Sequence, residues 1–337
     1  MDTYCQIVLA ARPKGLPTPA DFRLESGPVQ VPAEGQLLLR TKYLSLDPYM
    51  RGRMNDAKSY AAPIELGEVM EGEVIAEILV SRHQGYREGE LVQGRTGWRT
   101  HTAVPAEAVR RIATGGNPPT TALGVLGMPG FAAYSGLKVI GQPKAGETVV
   151  VAAACGPVGS LVGQLARLAG ARAVGIAEGE VRRAYVRNEL RFDAAVDHNA
   201  ARFSDVLAEA CPDGIDIYFE NVGGSVWNAV LPLLNRYARV PVCGLITHYN
   251  DTEPARAPPV AETMLTILRR SLRIEGFVDS EFAAEHYDSF LRELIPLVRS
   301  GEIRYREDIA EGLEAAPRAF IDMLTGRNFG KSLVRVS

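Results

Sequence analysis

The chain has 337 residues, 46% of them apolar and 23% charged, with a mean hydropathy of −0.03. That length exceeds one ordinary core, so two domains of roughly 100–200 residues are expected, and the composition excludes disorder as the dominant state. The net charge of −3, with no basic stretch interleaved with aromatics, argues against nucleic-acid binding.

No apolar run approaches the ~20 residues of a membrane span. The N-terminal sequence MDTYCQIVLAARPKG has too short an apolar run for a secretory signal, and Arg12 and Lys14 follow it closely. The four cysteines, Cys5, Cys155, Cys211 and Cys243, form no C-x-x-C pair, which disfavours a structural metal site and fits a reducing compartment. A cytoplasmic protein without metal is expected.

Residues 1–122 read as β-rich. Strands are expected at 36–45 and 72–80, and turn-forming Pro and Gly recur at short spacing, from Gly27-Pro28 to Gly94. From 123 to 299 buried-strand runs alternate with helical segments. Strands are expected at 148–153, 173–177, 194–197, 215–219 and 238–243. Helices are expected at 158–169, 182–189, 201–211 and 226–234. This alternation predicts a parallel, doubly wound sheet covered on both faces. From about 300 the segments become short and mixed, ending in the strand Lys331–Val336, which is expected to rejoin the first domain.

One turn carries the chemistry. Val149-Val-Val-Ala-Ala-Ala-Cys-Gly-Pro-Val-Gly-Ser160 runs from strand through Gly156 and Gly159 into a helix. A pyrophosphate needs close approach to backbone, which a Cβ obstructs, and the helix start presents N–H groups and a positive dipole end to it. The pattern is A-x-x-G-x-x-G, which also occurs in turns that hold no ligand. At the end of the next strand, Glu178 is spaced as an acid for a ribose 2′-hydroxyl, whereas Arg182 or Arg183 suits a 2′-phosphate. Spacing leaves both open.

Several segments resemble the zinc-free alkenal/one oxidoreductase branch of the medium-chain dehydrogenase/reductase superfamily. They are Tyr43-Leu-Ser-Leu-Asp-Pro-Tyr-Met-Arg-Gly-Arg-Met54, Leu126-Gly-Met-Pro-Gly-Phe-Ala-Ala-Tyr134, Gln142–Val150, the glycine turn, Phe219-Glu-Asn-Val-Gly-Gly224, Cys243–Asn250 and Arg327-Asn-Phe-Gly-Lys-Ser332. The resemblance implies a Rossmann-type doubly wound parallel-sheet domain (123–299) inserted in a β-rich, GroES-like catalytic domain (1–122 plus 300–337). It implies NADPH as cofactor and no catalytic zinc, since Gly67-Glu-Val-Met-Glu-Gly72 has no histidine where zinc enzymes carry one.

Residue by residue, the resemblance places Cys155, Gly156, Pro157, Val158 and Gly159 at the pyrophosphate, and Arg182 and His198 at the 2′-phosphate. Asn221, Cys243, Gly244, Leu245, Ile246, Thr247, Phe277, Val278, Asp279 and Asn328 would contact the rest of the cofactor. The chain departs from the family pattern at His198, where tyrosine is usual, at Glu178, where a small residue is usual, and at Arg191, where glycine is usual. The implied reaction passes a hydride to the β-carbon of an enal or enone. Tyr249, or second Tyr49, donates a hydrogen bond to the developing enolate oxygen. Quinone reduction, allylic alcohol oxidation, or cofactor binding without turnover are the alternatives. The Pro- and acid-rich stretch 250–260 is expected to border the pocket. The family's habit implies a homodimer, formed through edge strands of the nucleotide domain.

Overall fold

In the computed structural model, which describes residues 3–252 and 260–337, the β-branched and leucine-rich runs of the first third pair mostly as antiparallel ladders. β1 (Thr3–Leu9) pairs with β2 (Phe22–Pro28). β3 (Gln36–Ser45), β4 (Val74–Ser81), β5 (Leu91–Gly94) and β7 (Val109–Arg111) are successive neighbours in a second sheet, and β6 (His101–Pro105) also pairs with β3. A short helix, α1 (Tyr49–Arg53), follows β3. The far end of the chain completes this sheet. β15 (Lys331–Arg335) runs antiparallel to β3, and β14 (Glu307–Glu311) lies parallel beside β15.

Two features bind this unit. Trp98, fully buried, stacks on Phe22 at 5.7 Å, and Phe320 of α9 (Ala316–Leu324) meets both rings edge-on. The second is polar. The Lys331 ammonium, 2% exposed, donates to Asp47 Oδ1 (2.9 Å) and to the carbonyls of Leu46 (2.7 Å) and Ser332 (3.2 Å). The Ser45 hydroxyl donates to the other Asp47 oxygen. Such a charge survives burial only because it is both paired and hydrogen-bonded.

The middle of the chain builds a separate unit. Its strands are β8 (Thr148–Val151), β9 (Arg172–Ile176), β10 (Ala194–Val196), β11 (Ile215–Phe219), β12 (Leu234–Val242) and β13 (Arg273–Gly276). They form one parallel sheet in the order β10-β9-β8-β11-β12-β13. Growth proceeds outward from β8 in one direction and then restarts at β11 in the other, the order of a doubly wound dinucleotide fold. All four side chains of β8 are buried, as expected of a strand covered on both faces. The helices are α2 (Met128–Ser135), α3 (Pro157–Leu168), α4 (Gly179–Asn188), α5 (Phe203–Ala210), α6 (Gly224–Val230), α7 (Val260–Arg270) and α8 (Ala283–Ser300). α3 sits close to its neighbours because Gly163 faces Phe192, whose ring lies 1.9 Å from where a Cβ would stand.

Residue contacts divide the chain into Met1–Leu123 with Glu307–Ser337, and Gly124–Arg306. The fold is thus a Rossmann-type parallel-sheet domain inserted in a β-rich GroES-like one.

The elements differ from expectation where side chains interrupt the backbone pattern. The helix expected at 226–234 stops at Val230 and continues as a 3-10 turn, Leu231–Leu233, because Pro232 has no N–H to extend the α ladder. β12 begins at Leu234, four residues before the expected 238. Arg191, the departure from the family glycine, adopts φ = +60°, a left-handed conformation that strains an L-residue.

Candidate functional site

The candidate site is built from loops that leave the carboxyl ends of the parallel strands. In sheets of this topology ligands settle there, beside the point where the strand order reverses, here between β8 and β11.

After β8 the chain turns sharply, with Ala153 at φ = +52° and the Gly156 amide donating to the Ala153 carbonyl at 2.8 Å. Gly156 is the N-cap of α3 and Pro157 its first residue, so no side chain caps this helix. A Cβ on Gly159 would stand 2.4 Å from the Ala153 oxygen, and only glycine lets α3 pack down on the turn. An uncapped 12-residue helix behind a glycine-lined turn fits a pyrophosphate. Val158 lies in the first turn of α3. Cys155 is buried, its Sγ 3.5 Å from the Arg182 carbonyl. Burial pushes this thiol up to about 12, against the pull of Arg182 and Arg306.

After β9, Ala177 is buried and Glu178 occupies the N-cap of α4. The Glu178 carboxylate does not cap the helix. It reaches one turn on to Arg182, Oε2 to Nη1 3.3 Å. The Gly179 amide instead donates to Asp197, just past β10, at 2.8 Å, and the Asn199 amide donates to the other Asp197 oxygen at 2.9 Å. Against burial, these two amides hold Asp197 below the usual carboxylate range. His198 lies between them in sequence, so the expected 2′-phosphate residues Arg182 and His198 belong to neighbouring strand ends.

After β11, Glu220 is 3% exposed and accepts from the Tyr218 hydroxyl (2.9 Å) and the amides of Val222 (2.7 Å) and Gly223 (2.9 Å). Burial raises its pKa despite these donors. Asn221 donates to the Ala152 carbonyl at 3.2 Å, which ties this loop to the glycine turn. The loop after β12 is threaded onto the same segment. The Cys243 and Gly244 amides donate to the Glu220 carbonyl, Ile246 to Asn221 and Thr247 to Val222. Leu245 precedes the 3-10 turn Ile246–His248, and Tyr249 closes it. The Tyr249 hydroxyl lies over Gly244, 2.9 Å from the position of a Cβ there. After β13, the Phe277 ring meets Phe219 edge-on at 6.3 Å, and the Val278 amide donates to Glu281 before Asp279. Burial, and then Asp279, push the Cys243 thiol up to about 12.

The residues expected at the dinucleotide from 155 to 279 therefore all follow strand ends of one sheet. Two expected residues belong to the other unit. Tyr49 opens α1, partly buried against the aromatic and aliphatic core there. Burial, then Asp47, Glu71 and Glu73, push its phenol well above the usual range. Asn328 donates to the Gly330 carbonyl at 2.9 Å ahead of β15. Of the stretch expected to border the pocket, residues 253–259 lie outside the described residues. Asp197 and Glu220 escaped the reading of the sequence. Their signals, an Asp two residues before Asn199 and an acid directly before Asn-Val-Gly-Gly, are legible only once the loops are known. Among the described residues no three of His, Cys, Asp and Glu are grouped as a metal would require.

The family described as the N-terminal domain of oxidoreductase matches residues 5–112, and that described as zinc-binding dehydrogenase matches 157–294. The NADPH-dependent curcumin reductase of Escherichia coli is 49% identical, covering 98% of this chain and 96% of that protein. The NADP(+)-dependent 2-alkenal reductase of Nicotiana tabacum is 36% identical, covering 98% and 97%. The crystal structure of CurA in complex with NADPH from Vibrio vulnificus superposes with a TM-score of 0.95 at 47% identity, covering 99% of each chain. With both halves matched and whole-length relatives at this identity, the chain belongs to the medium-chain dehydrogenase/reductase superfamily of oxidoreductases, in its alkenal/one oxidoreductase branch.

Proposed function

We propose that the chain is an NADPH-dependent reductase of carbon–carbon double bonds conjugated to a carbonyl. The observation that carries this reading is the uncapped α3 behind the Gly156–Gly159 turn, placed among the loop ends of one parallel sheet. The names and the NADPH complex of the relatives support it.

In this reading Cys155 to Gly159 line the pyrophosphate, with the Val158 and Gly159 amides in the first turn of α3 as donors, and Arg182 and His198 serve the 2′-phosphate. Asn221, Cys243 to Thr247, Phe277 to Asp279 and Asn328 hold the remainder. Bound NADPH supplies a hydride to the β-carbon of an enal or enone. The protein's part is to orient the acceptor and to stabilise the negative charge that develops on its carbonyl oxygen. Tyr249 is the first choice for that hydrogen bond, because its hydroxyl stands on the cofactor loop beside Gly244. Tyr49 is the second, and its raised pKa keeps it a donor beyond the pH at which an ordinary phenol ionises.

The test is NADPH oxidation, followed by absorbance, with a panel of enals, enones and quinones and a parallel set with NADH. Rapid loss of absorbance with enones is expected. Loss of the donor in Tyr249→Phe lowers the rate by roughly 10²-fold. If Tyr49→Phe alone has that effect, the donor is Tyr49. Tight NADPH binding without turnover of any acceptor sinks the reductase reading.

We also propose a homodimer formed through the edge of the parallel sheet. β13 is that edge, and α7 exposes Met264 and Leu268. Light scattering on the purified protein, with Leu268→Glu as the disrupting variant, tests it. A monomeric mass for the unmodified chain refutes it.

A further inference from the structure

We infer that Glu178 is a built-in competitor for the 2′-phosphate site, which narrows this chain's discrimination between NADPH and NADH. The inference rests on the cofactor reading above and concerns a residue of this chain that the reading left unused.

The first turns of α4 carry two arginines, and each is met by an acid. Glu178 pairs with Arg182 at 3.3 Å, and Glu180 pairs with Arg183 at 2.6 Å and with Arg187 at 2.8 Å. Asp197 occupies the Gly179 amide, which otherwise offers a donor to an anion at this helix start. Glu178 itself stands in extended backbone at the end of β9. Its carboxylate is therefore at the strand end where an acid can accept from a ribose 2′-hydroxyl. Arg182 is held in place from behind, since its carbonyl lies 3.5 Å from Cys155 Sγ in the glycine turn. A phosphate monoester of charge about −1.5 to −2 must displace the Glu178 carboxylate from Arg182 and then lie beside it. A ribose without that phosphate meets no such repulsion and gains an acceptor. One carboxylate thus acts in opposite directions on the two cofactors. The Glu178 side chain is 53% exposed, so each effect is a few-fold, and together they change the ratio of affinities by about tenfold.

The experiment titrates the full-length protein with 2′,5′-ADP and 5′-AMP, which differ only in the 2′-phosphate, by calorimetry. Neither ligand carries nicotinamide, so turnover does not enter. Glu178→Gln is expected to tighten 2′,5′-ADP and to weaken 5′-AMP, raising their affinity ratio about tenfold, with the melting temperature as the folding control. In an Arg182→Ala background, 2′,5′-ADP binds more weakly and the gain of 2′,5′-ADP on Glu178→Gln shrinks, while the weakening of 5′-AMP remains. An unchanged ratio in Glu178→Gln overturns the inference, as does an undiminished gain of 2′,5′-ADP on Glu178→Gln without Arg182. If the unmodified protein binds neither nucleotide, the cofactor reading falls with it. If it prefers 2′,5′-ADP and Glu178→Gln leaves that preference alone, only the inference falls.

Discussion

Replacing Lys331 by methionine tests how the two ends of the chain are joined. The Lys331 side chain is 3% exposed and that of Asp47 is 4% exposed. Lys331→Met removes the partner of a buried carboxylate and leaves the Leu46 and Ser332 carbonyls without that donor. The Ser45 hydroxyl still donates to Asp47. Breaking one side of such a pair costs about 3–5 kcal/mol. In a unit of this size that lowers the melting temperature by roughly 10 °C. The double variant Asp47→Leu/Lys331→Met buries no charge and should recover most of the loss, because desolvation of both ions offsets much of their attraction. Tryptophan emission provides the assay. The chain has two tryptophans, and Trp98 lies in the same unit as the pair, stacked on Phe22, whereas Trp227 lies in the other. In a Trp227→Phe background, urea unfolding therefore reports on the unit that holds Lys331. A single variant within about 1 kcal/mol of the parent refutes the reasoning, as does a double variant as unstable as the sum of the singles. Asp47 stands two residues before Tyr49, so the same variants also ask whether the pair positions that phenol.

Gly159→Ala forces a Cβ against the Ala153 carbonyl and is expected to cost about 1–3 kcal/mol and to weaken dinucleotide binding at least tenfold, read by calorimetry. Arg191→Gly relieves the left-handed strain and should stabilise the protein by about 0.5–1 kcal/mol in urea unfolding, net of the extra chain entropy of glycine. Glu147, bonded by both terminal nitrogens of Arg239, is held below the ordinary 4.5 despite burial. A depressed carboxyl stabilises above its unfolded value, so this contribution is present at neutral pH and is lost as pH falls from about 4.5 through the folded value. Glu147→Gln should be less stable at pH 7, with the difference shrinking on acidification. A difference that stays constant with pH rejects the linkage.

The strands that cross the centre of the inserted sheet were legible because burial on both faces demands largely apolar runs. Ile215–Phe219 has the bounds expected for it. β13 was not, since it is an edge strand of four residues, two of them Arg273 and Glu275. α9 also hid behind Pro317, which reads as a breaker but sits in the first helical turn, where its missing N–H costs nothing. In the candidate site the Glu178–Arg182 pair follows from a spacing of four along a helix. The claim of Asp197 on the Gly179 amide does not, because it joins residues 18 apart through the pairing of β9 with β10.

The state of three of the four cysteines has a consequence for the proposed substrates. An enal or enone is a soft electrophile, and a thiolate adds to it at the same β-carbon that receives the hydride. Cys155, Cys211 and Cys243 are each pushed up to about 12, chiefly by burial. At neutral pH these sulfurs are thiols, poor nucleophiles, and Cys155 and Cys211 are buried as well. A protein that gathers such molecules beside its cofactor thereby presents them with a reductant while withholding the nucleophile that would turn a substrate into an inactivator.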